Sequence, residues 1–244
     1  MRCQPRYEGP VYICLKNVQT CLLCDEPAEA EMPICVACET ELPWLGSHCQ
    51  RCALPLIAEG LTCGACLLEP PAFMQVAAPW LYGFPVDSLI TRFKHNAKWP
   101  FGHLLADVLG QYLQHRFDED LPRPDALVPV PLARKRLRQR GFNQAAMLAR
   151  WLGKSLSLPC EEQILRRVKE TDAQQDLDAN ARRQNLRNAF DLLPNAAVNG
   201  RHFSLIDDVL TTGATAQALA RLLMNAGAAR VDVYCLARTP KPGS

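Results

Sequence analysis

Apolar residues recur at two periods along this chain, and the periods locate its elements. Val86, Leu89, Ile90 and Phe93 fall at helical spacing, as do Leu104, Leu105, Val108, Leu109, Tyr112 and Leu113. Each set makes one apolar helix face that packs on a core. Towards the C-terminus the pattern shortens. Residues 203–206 are apolar apart from Ser204, as expected of a short buried parallel strand. Asp207 and Asp208 are read as ending that strand. A small-residue loop follows, and Leu219, Leu222 and Leu223 then repeat at helical spacing. Gly227 is placed to cap this helix, and residues 231–236 resume a strand. Residues 126–131, ALVPVP, read as a further strand running into a loop. Strand, loop, helix and strand in this order predict an α/β domain built on a parallel sheet flanked by helices.

In the first quarter of the chain the ordering signal is cysteine. Four CxxC pairs sit at Cys21/Cys24, Cys35/Cys38, Cys49/Cys52 and Cys63/Cys66, a repeat of 14 residues. A CxxC turn presents two thiolates on one side of a tight loop, which is half of a tetrahedral site. Two such knuckles close a four-thiolate zinc site, so the eight cysteines are expected to bind two structural Zn²⁺ ions. Redox motifs or scattered core thiols would not explain four pairs at equal spacing. Sequential and interleaved pairings have similar local geometry, and shorter loop closure favours the sequential one. Cys3, Cys14, Cys160 and Cys235 fall outside the repeat and are read as structural thiols. His48 adjoins Cys49, but all four pairs are complete without it.

Charge separates the two parts. Residues 1–75 carry four basic and nine acidic residues, a net −5, which leaves +7 for the remainder. The break near EPPAFMQ, with its two prolines, suggests a zinc-ribbon module over residues 1–72, with its core at 18–70, and a second domain over 73–244. Two Zn²⁺ ions with four thiolates each would take the module to about −9, unsuited to gripping a nucleic-acid backbone. No run of about 20 apolar residues exists, so no membrane insertion is expected. The N-terminus lacks the continuous apolar stretch of a signal peptide. Both point to the cytoplasm, where 12 cysteines serve metal rather than disulfides.

The acidic pair and the loop behind it carry the candidate chemistry. In open α/β sheets ligands sit beyond the carboxyl ends of strands. A helix start offers unpaired N–H groups and partial positive charge to a phosphate. Thr211, Thr212, Gly213, Ala214 and Thr215 would form that cradle, with Gly213 allowing close approach and the threonines adding hydroxyls. Asp207 and Asp208 can accept hydrogen bonds from vicinal ribose hydroxyls or help hold Mg²⁺. Arg134, Lys135, Arg136, Arg138 and Arg140 make a local anion sink, which alone would read as a solvated basic helix or a nucleic-acid patch. Lys94, His95 and Lys98 lie near the first helical face and are candidates to line a pocket. Trp44, Trp80, Trp99 and Trp151 are read as core or interface.

The segment IDDVLTTGAT resembles the motif by which type I phosphoribosyltransferases bind 5-phosphoribosyl 1-diphosphate (PRPP). The resemblance implies that Asp207 and Asp208 face the ribose hydroxyls and that the loop from Thr211 to Thr215 holds the 5′-phosphate. VPVPLARKRLRQRGFNQA is similar to the pattern of the ComF/GntX family, in which a zinc module precedes a phosphoribosyltransferase-like domain. That similarity implies a diphosphate site near Val130 and Pro131, served by Arg134 and Arg140. QQDL at 174–177, with Arg182, Asn185 and Phe190, falls where the type I fold carries a flexible catalytic loop, at about residues 170–185. Thr211 stands where purine transferases of the hypoxanthine–guanine type carry an Asp, which weighs against that acceptor. Cys3 is not terminal, and 75 residues are too few for a glutamine-dependent amidotransferase. The family further implies a role in DNA uptake or the use of external DNA. Two function classes stay open on the sequence. One is a transferase moving phosphoribose from PRPP to an unidentified acceptor. The other is a non-catalytic accessory protein that handles single-stranded DNA, with competence or DNA-processing proteins as partners. A zinc-stabilised scaffold with a vestigial pocket is a third reading, against which the intact motif argues.

Overall fold

Short cysteine-bearing turns come first along the chain. A computed structural model describes residues 19–28, 32–96, 98–168 and 189–241. The chain divides into two compact units, one ending at Thr40 and one beginning at Glu41. In the first, β1 (Gln19–Thr20) pairs antiparallel with β2 (Pro27–Ala28), and α1 (Val36–Thr40) follows. The Cys21 N–H donates to the Glu26 carbonyl at 2.8 Å, so the turn bearing Cys21 and Cys24 is closed by its own backbone.

The second unit is organised by a parallel sheet. Its strands are β3 (Val76–Ala77), β4 (Trp80–Leu81), β5 (Ala126–Pro129), β8 (His202–Leu210) and β9 (Arg230–Arg238). β9 pairs with both β3 and β4 on one side and with β8 on the other, and β5 lies outside β8; every pairing is parallel. Separately, β6 (Leu165–Arg167) pairs antiparallel with β7 (Phe190–Leu192). Among the described residues, short helices α2 (Gly64–Leu68) and α5 (Arg134–Arg140) accompany four longer ones: α3 (Val86–Asn96), α4 (Trp99–Glu119), α6 (Gln144–Leu156) and α7 (Ala214–Asn225). Proline in the first turn of α4 suits a position whose N–H has no intrahelical partner. Asn143 caps α6 by accepting from the Ala145 N–H at 3.1 Å.

Alternation along the strands assigns the two faces of the sheet. Leu219, Ala220 and Leu223 of α7 share a core with Phe203, Leu205, Val231, Val233 and Cys235. Tyr234, of opposite parity, meets Phe117 of α4 with ring centroids 6.1 Å apart. Helices thus cover both faces, as the α/β pattern predicts. No helix among the described residues is long and apolar enough to cross a membrane.

One feature departs from the sequence-based expectations. The strand read as ended by Asp207 and Asp208 continues to Leu210, because the ladder with β9 runs on through Asp207 opposite Cys235 to Leu210 opposite Arg238. Asp208 and Leu210 are buried, so alternation persists through the acidic pair. Residues beyond Thr40, where the first compact unit ends, pack with the sheet. Ala53 and Phe73 are buried in the same core as α7. The Leu45 N–H donates to the Pro79 carbonyl and the Leu81 N–H to the Pro43 carbonyl, so residues 43–45 border β4.

Gly227 sits one residue past the cap predicted for it; Ala226 is the cap residue, and Gly227 takes φ +93°. A Cβ there would lie 2.5 Å from Asn199 Oδ1. Gly227→Ala is expected to cost roughly 1–3 kcal/mol through backbone strain and this clash, measured as a lower urea midpoint at unchanged m-value.

Candidate functional site

β5 stops opposite Ile206, while β8 and β9 continue. The acidic pair therefore lies inside one ladder but beyond the end of the neighbouring strand. Successive strand residues face opposite sides. Asp208 shares a face with Ile206, and Asp207 shares one with Leu205 and lies opposite Cys235 in the ladder.

On its side Asp208 meets Lys94 from α3, with Nζ 2.9 Å from Oδ1 and both side chains largely buried. The Asp208 Oδ2 atom is buried and has no hydrogen-bond partner among the described residues. Such an acceptor costs on the order of 1–3 kcal/mol until a donor reaches it. Asp207 Oδ1 accepts from the Asp208 N–H at 2.9 Å. Burial, and then the Asp208 carboxylate beside it, push Asp207 up to about 7. Burial also pushes the Cys235 thiol up to about 12, with Asp207 adding to the effect. Cys235 is thus a buried structural thiol, as read from the sequence.

Basic residues divide by exposure. Arg134, Lys135 and Arg138 of α5 are exposed, whereas Arg136 and Arg140 are half-buried one turn apart. Burial pushes Arg140 below the ordinary arginine value, and the Asp208 carboxylate opposes that shift. Arg140 therefore feels the acidic pair. Of the three pocket candidates, Lys94 enters the site, whereas His95 and Lys98 are exposed. Nothing local marks Lys94, because its partner is more than a hundred residues away in sequence. Val130 is committed to structure: its N–H donates to the Ile206 carbonyl at 2.9 Å, and its carbonyl accepts from Asn143 Nδ2 at 3.0 Å. Pro131 beside it is half-buried.

The loop leaves β8 directly. Thr211 and Thr212 are exposed, and Gly213, Ala214 and Thr215 are half-buried. Gly213 takes φ +76°, which favours glycine, and a Cβ there would meet nothing within 4 Å, so the backbone lies open to approach. Thr212 Oγ1 accepts from the Ala214 N–H at 3.3 Å. The 12-residue α7 starts here, with the unpaired N–H groups of a helix start. Two residues after Arg140, Phe142 joins Trp99, Phe93 and Trp151 in one aromatic cluster, with Trp99 and Phe142 centroids 4.9 Å apart. Residues 174–177, Arg182 and Asn185 lie outside the described residues, as do Cys3 and Cys14; Phe190 opens β7.

The cysteines gather sequentially. Cys21, Cys24, Cys35 and Cys38 form one cluster, and Cys49, Cys52, Cys63 and Cys66 the other, with the sulfurs of each cluster all within 4.8 Å of one another. Sγ atoms are 3.7 Å apart for Cys24–Cys35 and for Cys52–Cys63. A tetrahedron with Zn–S bonds of about 2.3 Å has edges of about 3.8 Å, so both clusters fit the ion. Burial and the neighbouring Cys52 push Cys66 up, so a divalent cation is what makes four thiolates tolerable together. His48 Nδ1 bonds the Gly46 carbonyl instead of joining a cluster.

Residues 18–67 match the family model of the double zinc ribbon domain. The DNA utilization protein YhgH of Salmonella typhi is 38% identical over 222 residues, which cover 90% of this chain and 96% of that protein. The chain belongs to the ComF/GntX family. Competence protein F of Haemophilus influenzae is 35% identical over 217 residues, 86% of this chain and 92% of that one. Among solved structures, adenine phosphoribosyltransferase from Saccharomyces cerevisiae aligns with 59% of this chain and 73% of its own, at 14% identity and a TM-score of 0.39. In this ComF/GntX chain the matched ribbon crosses Thr40, so its two four-cysteine sites belong to different compact units.

Purified protein is expected to contain two zinc ions per chain by mass spectrometry, and Cys66→Ser to contain one; two ions in that variant would contradict the assignment. Asp207 yields a pH prediction. Its unfolded carboxyl ionises near 3.8, while the folded one keeps its proton to about 7. The stability it contributes is full below about pH 4 and is lost as pH rises through about 7. Urea midpoints should show this fall in wild type, and the component should vanish in Asp207→Asn.

Proposed function

We propose that this protein binds PRPP at the carboxyl end of β8 and transfers its phosphoribosyl group to an acceptor during the use of external DNA. The reading rests on one juxtaposition: half-buried Asp207 and buried Asp208, whose Oδ2 atom has no partner among the described residues, three residues before an open glycine-bearing loop at a helix start. A ribose hydroxyl is a donor suited to Asp208 Oδ2, with the vicinal hydroxyl directed at Asp207. A 5′-phosphate suits the N–H groups at the start of α7 and the hydroxyls of Thr211, Thr212 and Thr215. Arg140, which feels Asp208, lies to serve the diphosphate, with Arg134 at the outer end of the same helix and Val130 and Pro131 leading into it. Mg²⁺, when bound with PRPP, would be held by Asp207, Asp208 and diphosphate oxygens, and would neutralise charge on the leaving group.

In the reaction the bond from the anomeric carbon to the diphosphate oxygen breaks, and its electron pair leaves with diphosphate. A lone pair of the acceptor forms the new bond, and the acceptor's proton passes to solvent. Positive charge gathers on the ribose ring between these events. The residues' work is positioning and electrostatics: carboxylates beside the ring, N–H groups on the phosphate, arginine on the leaving group. Lys94 pairs with Asp208 Oδ1 and holds that carboxylate in place beside the ring. The relatives' names, DNA utilization protein and competence protein, support the setting. A reducing cytoplasm suits the thiolate sites.

A second reading is favoured by the exposed Arg134, Lys135 and Arg138: single-stranded DNA lying along α5, with competence or DNA-processing proteins nearby and no turnover. The two readings differ in salt dependence, which is steep for a DNA contact through several phosphates.

PRPP with Mg²⁺ at about 100 times its Kd should stabilise the protein by about 2.7 kcal/mol in a thermal shift. Asp208→Asn should remain folded and lose most of that gain. No stabilisation of wild type at millimolar PRPP would sink the proposal, and absence of diphosphate release with every acceptor offered would leave binding without transfer.

A further inference from the structure

The second cysteine cluster and the 211–215 loop share one side chain. Arg238, the last residue of β9, is 7% exposed. Its Nε donates to the Cys52 carbonyl at 2.8 Å. Its Nη1 donates to the carbonyls of Leu210 at 3.0 Å, Thr211 at 2.5 Å and Thr239 at 2.7 Å. Cys52 is a member of the second four-cysteine cluster. Thr211 opens the loop. A buried guanidinium is tolerated only where its N–H groups find acceptors, and its rigid planar fork fixes those acceptors relative to one another. No carboxylate is needed to hold it; the acceptors are backbone carbonyls from a cysteine knuckle and from the end of β8.

A second tie runs in parallel. The Ala72 N–H, on the chain leaving the second cluster, donates to Gln217 Oε1 in the first turn of α7 at 2.7 Å. Cys52 and Ala53 pack against the core to which Leu219 and Ala220 belong. The knuckle thus touches the loop's first carbonyl and, through Ala72, the helix that begins behind the loop. A cluster of four thiolates with its metal carries −2, which favours a cation at this place.

We propose that Arg238 is a positioning residue that couples the second four-cysteine cluster to the phosphate loop. Metal held by Cys49, Cys52, Cys63 and Cys66 and an anion held by the 211–215 loop then stabilise one another. The anion arm of this inference rests on the PRPP reading above; the loop-order arm does not. Linkage makes the coupling reciprocal: if the metal orders the loop for its anion, the anion must raise the affinity for that metal by the same factor.

The test uses the full chain loaded with two zinc ions. Hydrogen exchange of the peptide spanning 207–216 is measured without ligand in wild type, Arg238→Gln and Arg238→Lys. Both variants should keep two zinc ions and their far-UV spectrum while exchange across the loop rises about tenfold, the loss of about one charge-assisted hydrogen bond. Lysine keeps the charge but not the fork, so it should not rescue. PRPP affinity should fall about tenfold in both. In wild type, PRPP with Mg²⁺ should raise about tenfold the chelator concentration that removes one zinc ion at equilibrium and leave the other unchanged, and Arg238→Gln should abolish that shift. Unchanged loop exchange in a folded Arg238→Gln protein with two zinc ions would overturn the coupling. If that variant does not fold, the wild-type zinc competition decides, and zinc affinities unchanged at both sites despite PRPP binding overturn the coupling. If wild type binds no PRPP, the functional reading fails, and the exchange measurement still decides the role of Arg238.

Discussion

Everything at the site depends on the parallel ladder between β8 and β9 outrunning β5. A strand paired on both sides has its backbone spent and its side chains locked between helix layers. Where β5 stops at Ile206, β8 keeps one partner and loses the other. Asp207 and Asp208 occupy this half-supported stretch: rigid, because β9 still pairs with it, and approachable, because β5 is gone. Burial there is deep enough to push Asp207 up to about 7 and to leave an oxygen of Asp208 without a partner among the described residues. Full pairing would bury the carboxylates beyond use, and no pairing would leave them solvated with ordinary acidity. The three-residue step from Leu210 to α7 then fixes the loop relative to the carboxylates.

What the sequence reveals about this site follows from distance along the chain. The acidic pair, the threonines and Gly213 lie within nine consecutive residues, so their co-location needs only a strand and a turn. Lys94 pairs with Asp208 from α3, and Arg140 on α5 feels the same carboxylate; only the packing of those helices brings them near it. Arg134 and Arg140 look alike in the sequence, yet one is exposed and the other half-buried; six residues of helix separate the outer end of α5 from the end that turns into Asn143. The longer course of β8 was hidden for a related reason. Two adjacent acids read as a strand end by composition, but alternation continues through them, with Asp208 and Leu210 buried.

The cysteine repeat gave the ligands, and the sequential pairing that short loops favour is the one the clusters adopt. It did not give the division of labour. Charge changes sign near residue 72, because acidic residues accompany the knuckles, whereas packing changes at Thr40, because apolar residues after it join the core of the sheet. Composition and packing answer different questions, and a small metal-bearing segment can look like an appendage while being built into its neighbour.

Two four-cysteine clusters with the same spacing therefore need not share a role. In the first, Cys21 alone is buried, Cys35 and Cys38 are half-buried and Cys24 is exposed, so the ion orders a segment of hairpin and short helix in its own unit. In the second, three of the four cysteines are buried, and the knuckle between Cys49 and Cys52 abuts the sheet through Arg238 and Ala53. A ribbon of this size buries too little apolar surface to hold a fixed shape without its metal. A carbonyl at Cys52 can serve as a fixed acceptor for Arg238 only if something else fixes the knuckle, and four sulfurs on one ion do so at a cost that no core of comparable size could match. The metal is then as much a part of the loop's architecture as the strand that precedes it.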